Sequence, residues 1–270
     1  MLPGVPSYFD LLIEAYRSHQ TGRHVHLGYW DDPPSLSTSC SQYEFGKAQA
    51  RLADVLIELA DVQTGQAVLD VGCGFGGTLE VIGKRPSMQL TGINIDRRQL
   101  DICQSVQLAE GSTLSLVMAD ACALPIRASS FDRVFCVEAM FHFRERAIFL
   151  REAATTLRSG GRLVLSDILL RDPGLRAALD VPAIAAALRS EYGPWPQLWV
   201  ERDEVLECAR RAGLKLDRML DATRQTLPTY RFTAPRHLDR APAIQSAGQA
   251  LRWLHDEGHL SYLCMSFIKL

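Results

Sequence analysis

Two rhythms of apolar residues divide the chain. Through the first 60 positions the spacing is helical. Residues 7–18 (SYFDLLIEAYRS) carry it, and residues 43–60 place Leu52, Val55, Leu56 and Leu59 on one helix face. Between them TGRHVHLGYWDDPPSLSTSCSQ is rich in turn formers and aromatics and reads as an ordered loop. From residue 67 short apolar runs alternate with helical segments. Strands are expected at 67–71, 88–95, 114–120, 131–139 and 162–169, and helices at 76–84, 97–109 and 144–158, the last stopped by Gly160 and Gly161. The run FDRVFCVEA is apolar through its middle, as expected of a strand covered on both faces. After Arg171 the alternation breaks. Helices are expected at 174–190, 201–214 (closed by Gly213) and 236–257, strands at 214–220 and 260–270, and a Pro- and Trp-rich turn at 192–197.

This order predicts an α/β fold: a doubly wound, Rossmann-like, seven-stranded and mostly parallel sheet with an antiparallel edge strand. Residues 1–60 are expected to form an N-terminal helical cap or lid and residues 61–270 the core, with a helical insertion before the last strand. Segments 171–200 and 222–257 are the variable parts expected to shape a pocket.

Composition narrows the class. At 270 residues, 47% hydrophobic and 22% charged, the chain can bury a large core without staples. Its formal charge of −2 gives no electrostatic reason to expect nucleic acid or an anionic membrane as partner. The cysteines at 40, 73, 103, 122, 136, 208 and 264 show no CxxC spacing, which fits reduced thiols in a cytoplasmic protein. No run reaches the length of a membrane span, and the start MLPGVPSYFD does not resemble a signal peptide. A monomer or homodimer with a small-molecule partner and no metal is expected.

The chemistry concentrates in VLDVGCGFGGT, residues 68–78. Glycines after a strand let the backbone turn tightly and approach a ligand, and the following helix start favours an anionic group. Read as GxGxxG, with Gly72, Gly74 and Gly77, the stretch admits a nicotinamide dinucleotide or S-adenosylmethionine. Asp70 favours the second, because a carboxylate repels a pyrophosphate and attracts an ammonium or a sulfonium.

VLDVGCGFGGT resembles motif I of class I S-adenosylmethionine-dependent methyltransferases. LTGINID, MADACALPI, FDRVFCVEAMFHF and LRSGGRLVLSDIL resemble that family's later motifs in order and spacing, over roughly residues 60–170. The resemblance implies S-adenosylmethionine as cofactor and S-adenosylhomocysteine as product. It implies that Asp70, Gly72, Cys73 and Gly74 line the methionine end, that Ile95 packs on adenine, that Asp120 accepts from the adenine amino group beside Ala121, and that Val137 touches the cofactor. At the ribose the usual carboxylate is replaced by Asn94, an amide that offers one acceptor fewer. Asp96 and Gln99 are the residues near enough in sequence to help.

RHVHLGYWDDP is similar to the segment that folds over the cofactor in small-molecule methyltransferases acting on tocopherols and on sugars. That likeness makes His26 and Tyr29 cofactor contacts and Trp30 a substrate-facing lid residue. His24 is expected at the surface. His142, just past the fourth strand and flanked by Phe141 and Phe143, is the candidate general base. Glu138 is the second titratable group there, either catalytic or bonded to backbone amides. Tyr192, Trp195 and Trp199 offer an apolar wall for a partly apolar metabolite. The expected activity is O-methylation with His142 as base. C- or N-methylation is the alternative on the same fold, and a nicotinamide-dependent oxidoreductase or a non-catalytic binding module the alternative of another class.

Overall fold

The computed structural model describes residues 5, 7–34, 40–172, 182–233 and 246–270. One seven-stranded sheet runs through the molecule in the order β3-β2-β1-β4-β5-β7-β6. The strands are β1 (Ala67–Val71), β2 (Gln89–Asn94), β3 (Thr113–Met118), β4 (Phe131–Val137), β5 (Leu157–Leu170), β6 (Leu214–Asp221) and β7 (Leu260–Lys269). β1 to β5 pair in parallel, and β7 runs antiparallel between β5 and β6. All five residues of β1 are buried, because helices cover both faces of a central parallel strand.

The helices are α1 (Tyr8–Arg17), α2 (Gln42–Ala60), α3 (Gly77–Gly83), α4 (Arg97–Cys103), α5 (Arg146–Thr156), α6 (Pro182–Tyr192), α7 (Arg202–Arg211) and α8 (Ala247–Asp256). Single helical turns lie at Met140–His142, Thr223–Thr226, Leu227–Thr229 and Tyr230–Thr233. α2 begins with a capping box: Ser41 Oγ accepts from the Glu44 amide, and the Glu44 carboxylate accepts from the Ser41 amide. It ends at Asp61 in the left-handed region, where the buried Arg133 of β4 donates to the carbonyls of Ala60 (2.6 Å) and Asp61 (2.7 Å). A cation on the last carbonyls suits the helix dipole and fixes α2 against the sheet.

The structure shortens several expected elements. α4 stops at Cys103 rather than near 109. Ser105 Oγ bonds the Ile102 carbonyl, and the Ala109 amide turns away to the Gly83 carbonyl. β4 stops at Val137 because Glu138 takes φ +45°, which no strand continues. Positions 174–181 and 236–245 of the expected helices 174–190 and 236–257 lie outside the described residues, and their described remainders are α6 and α8.

Candidate active site

The parallel strands β1, β2 and β4 end at one cavity of about 680 Å³, a size suited to small-molecule ligands. Its floor is the loop after β1, its near wall the ends of β2 and β4, and its far wall residues 191–196 with Tyr230 and Leu251. α1 and residues 21–27 roof it.

The glycine loop is held from behind. The amides of Gly72 and Cys73 both donate to the Ile93 carbonyl at the end of β2, at 2.8 and 3.0 Å. Gly72 has φ +79°, and a Cβ there would stand 2.5 Å from Cβ of Ala139. Only glycine meets both demands. Asp70, buried at the end of β1 beside this loop, lines the cavity, and burial pushes its carboxyl up to about 7. A cation in the cavity would restore its ionised form.

Beyond β2 the polarity of an amide chain is set by a fixed donor. The Asp96 amide gives its hydrogen to Asn94 Oδ1 (2.9 Å), so Asn94 Nδ2 faces Gln99 Oε1 (3.1 Å). Gln99 Nε2 is left buried and without a partner among the described residues. Asp96 itself caps α4 through the Arg98 amide, takes the Arg98 guanidinium on both oxygens, and is outside the cavity lining. Ile95, Asp120 and Ala121 line the mouth, where Asp120 Oδ1 accepts from the Cys122 amide.

At the end of β4, Glu138 and His142 both face the cavity. Glu138 Oε1 accepts from the Leu27 amide and from the Tyr262 hydroxyl, both at 2.7 Å. Burial raises the Glu138 carboxyl to about 7 against the pull of those two bonds. His142 lies on the helical turn Met140–His142, ahead of α5. Its Nδ1 is 2.8 Å from the Pro194 carbonyl. A carbonyl only accepts, so Nδ1 carries the hydrogen and Nε2 keeps its lone pair. The Tyr8 hydroxyl of α1 donates to that lone pair at 3.3 Å. Burial lowers the imidazole to about 4, so it is neutral at physiological pH.

The segment expected to fold over the site is bolted down rather than hinged. Gln49 Nε2 of α2 donates to the carbonyls of His24 (2.9 Å) and His26 (2.7 Å). The Tyr29 amide donates to the Ala48 carbonyl and the Gly28 amide to Thr229 Oγ1. His24 and His26 bond each other at 3.0 Å and both line the cavity, so His24 is not the surface residue expected. Tyr29, Trp30 and Trp199 are outside the lining. Tyr29 packs under the Arg51 guanidinium. Trp30 folds its ring back over Gly28 and stacks with Phe45 and Phe232. Trp199, at φ +58°, points into the core. Tyr192 and Trp195 do line the cavity, and Trp195 stacks on Phe141 at 4.4 Å. Sequence reasoning missed Tyr8, Gln49, Thr229 and Tyr230. For Tyr8 a signal existed: Tyr8, Leu12 and Ala15 share one helix face, and all three line the cavity.

The cavity matches S-adenosylmethionine in kind. The unpartnered Gln99 nitrogen wants an acceptor, and a buried donor without one costs roughly 1–3 kcal/mol. Gly74 leaves open a space that a Cβ would fill, 3.3 Å from Val25. Among the described residues no group of three metal-ligating side chains gathers, and no helix is long and apolar enough to cross a membrane.

Known proteins agree with this chemistry. A family profile described as a methyltransferase domain matches residues 69–165. Methyltransferase GfsG of Streptomyces halstedii is 32% identical over 253 residues, spanning 91% of this chain and 85% of the relative. The 27-O-demethylrifamycin SV methyltransferase of Amycolatopsis mediterranei is 30% identical, spanning 97% of this chain and 94% of the relative. Among solved structures, the cyclopropane synthase MmaA2 from Mycobacterium tuberculosis superposes with a TM-score of 0.74 at 19% identity, over 98% of this chain and 99% of that one. The [4+2]-cyclase SpnF superposes with a TM-score of 0.72 at 22% identity, over 97% and 94%. The structures share the fold, and the sequence relatives decide between the two ligands that the glycine spacing admits: the chain belongs to the S-adenosylmethionine-dependent methyltransferases, and S-adenosylmethionine is its cofactor.

Proposed function

We propose that the enzyme methylates a hydroxyl group of a partly apolar natural product, with His142 as general base. The observation that carries this reading is the orientation of one ring. His142 donates Nδ1–H to the Pro194 carbonyl, which leaves the lone pair on Nε2, beside the Tyr8 hydroxyl that an acceptor hydroxyl would displace. Two relatives that span most of the chain support the substrate class by name, since one acts on 27-O-demethylrifamycin SV and another is an erythromycin 3''-O-methyltransferase of Saccharopolyspora erythraea.

Bound S-adenosylmethionine supplies an electrophilic methyl group on a sulfonium. The side chains then have four tasks. Asp70, and the backbone of Gly72, Cys73 and Gly74, hold the methionine end, the carboxylate of Asp70 meeting its positive charge. Asn94 and Gln99 hold the ribose, while Ile95, Ala121, Asp120 and Val137 hold the adenosine. Phe141, Trp195 and Tyr192 exclude water around the acceptor and align its oxygen. His142 Nε2 takes the proton. An imidazole near 4 is a weak base, but the hydroxyl becomes strongly acidic as its oxygen bonds to carbon, so a weak base suffices late in the transfer. Glu138 anchors the roof through Leu27 and the far strand through Tyr262, which makes it a positioning group in this scheme.

The test is a His142→Gln enzyme assayed with S-adenosylmethionine against a panel of hydroxylated macrolides and ansamycins. Loss of O-methyl product by about 10²–10⁴-fold, with S-adenosylhomocysteine affinity kept, is expected. Full turnover in that variant sinks His142 as base. Methyl groups found on carbon or nitrogen sink the hydroxyl acceptor.

A further inference from the structure

His142 can act as described only if its hydrogen stays on Nδ1, and that depends on a carbonyl carried by an irregular wall. Residues 193–200 form neither helix nor strand. Its one strand bond lies at the far end, where the Val200 carbonyl accepts from the Leu170 amide of β5 (2.8 Å), six residues beyond the Pro194 carbonyl under the ring.

We propose that Gln197 is the positioning residue that fixes the tautomer of His142, an inference that rests on His142 being the base. The geometry is a pair of straps between two short stretches. One strap joins His142 to the Pro194 carbonyl at 2.8 Å. The other joins residue 146, four positions on, to residue 197, three positions on. Gln197 Oε1 accepts from the Arg146 amide (2.9 Å), the Gln197 carbonyl accepts from Arg146 Nη1 (2.8 Å), and Gln197 Nε2 donates to Glu145 Oε1 (3.3 Å). The Arg146 side chain is itself immobilised, with Nε 3.1 Å from Asp167 Oδ2 of β5 and both groups buried. Trp195, between the straps, stacks on Phe141 next to the base. With the Trp195 stack and the Val200 bond to β5, the second strap fixes the wall close to Pro194, where the Pro194 contact alone would leave it free to rotate. The buried Arg146–Asp167 pair thus serves the base through the wall. An ion pair there is otherwise weak evidence of stability gain.

The experiment uses the full chain with histidine labelled in its ring nitrogens, saturated with S-adenosylhomocysteine. The signal of His142 is the one missing from a His142→Gln sample. In the unmodified enzyme its Nδ1 should resonate as a protonated nitrogen and its Nε2 as an unprotonated one, well separated. In Gln197→Leu the two should move toward each other as the tautomers mix, with S-adenosylhomocysteine affinity changed less than twofold. Gln197→Glu made together with Glu145→Gln, which keeps an acceptor for the Arg146 amide and a donor–acceptor pair between 145 and 197, should restore the separation. If leucine at 197 prevents folding, Gln197→Asn withdraws the amide by one methylene and reads the same signal. Unmoved resonances in the leucine or asparagine variant overturn the proposal, as does an equal shift in the glutamate variant. Failure of the base assignment looks different: the resonances respond to residue 197 as expected, and His142→Gln still transfers methyl groups.

Discussion

The two halves of the cavity are built by opposite strategies. Under the proposed assignment the cofactor half is local, apart from Val137 at the end of β4. Asp70, Gly72, Cys73, Gly74, Asn94, Ile95, Gln99, Asp120 and Ala121 all fall within about 50 positions, and their bonds run between adjacent strand ends, as from Gly72 to Ile93. The acceptor half is assembled from the whole chain. Tyr8 meets His142 across 134 positions, Leu27 meets Glu138 across 111, and Tyr262 meets Glu138 across 124. A local site tolerates rearrangement elsewhere, whereas a distributed site depends on every element that contributes to it.

The sharpest way to break the comparison is to damage the local half at one atom. Asp70→Asn removes the carboxylate proposed to meet the donor's positive charge. A hydrogen bond to a charged group is worth about 1.5–3 kcal/mol, so S-adenosylmethionine affinity should fall roughly 10- to 150-fold by calorimetry. The acceptor half should be unmoved, with the His142 tautomer as in the unmodified enzyme. Unchanged affinity would remove the electrostatic reading of the glycine loop.

The pH dependence sharpens the same point. Burial holds the free-enzyme carboxyl of Asp70 at about 7, and a bound cation favours its ionised form. Affinity for S-adenosylmethionine should therefore rise with pH, by at most about tenfold per unit, and level off once Asp70 is ionised in the free enzyme. Glu138 titrates in the same range and lines the same cavity. Subtracting the profile of Asp70→Asn isolates the Asp70 part, and identical profiles would refute it. The same shift has a stability cost of the opposite sense. A carboxyl raised by folding holds its proton longer in the native state than in the unfolded one, so ligand-free stability falls as pH rises from about 4 toward 7. Above that range ligand-free Asp70→Asn should melt higher than the unmodified protein.

This division also decides what the sequence made legible. The strands, the glycine loop and the residues at its edge follow from short-range pattern, since each side chain's position is set by the strand it ends. Its failures lie where position is set from afar. Trp30 and Tyr29 carry the right residue types in a motif-like string, but Gly28 packs against Ala48, and the aromatics beyond it turn to α2. Trp199 has the residue type of an apolar wall, and its positive φ turns it into the core. Tyr8 was readable only as helix amphipathicity, because nothing in its neighbourhood announces a partner 134 positions away. Asn94 kept its departure from the usual carboxylate visible in sequence. The consequence, an amide chain that ends in an unpartnered donor at Gln99, required the fixed hydrogen of the Asp96 amide.

On the distributed side a smaller effect is expected from Tyr8→Phe. The hydroxyl contacts His142 Nε2 at 3.3 Å, a weak bond at the long end of the range, and the ring packs beside the imidazole. Losing the hydroxyl frees the lone pair and costs about 0.5–1.5 kcal/mol of α1 docking. Ligand-free amide exchange in α1 should accelerate by a factor of about 2–10, with exchange at the glycine loop unchanged. Equal acceleration in both regions would mean that the two halves are coupled more tightly than their bonding suggests.

The smallest functional effect should come from Trp30→Leu, although it removes a tryptophan three residues beyond the roof. Its indole stacks with Phe45 of α2, which lines the cavity, and with Phe232, at interplanar angles of 4° and 8°, and is itself outside the lining. The polar ties that hold the roof lie upstream and do not involve it: Gln49 to the His24 and His26 carbonyls, Gly28 to Thr229, Leu27 to Glu138. Truncation therefore removes aromatic packing, worth about 0.5–1.5 kcal/mol per pair beyond the buried area, while leaving the cavity wall in place. Thermal denaturation should register a loss of a few degrees, and S-adenosylhomocysteine affinity should change less than twofold. A large loss of affinity would show that the stacked cluster transmits its position through Gly28 to the histidines, and the roof would then belong to the distributed half in function as well as in construction.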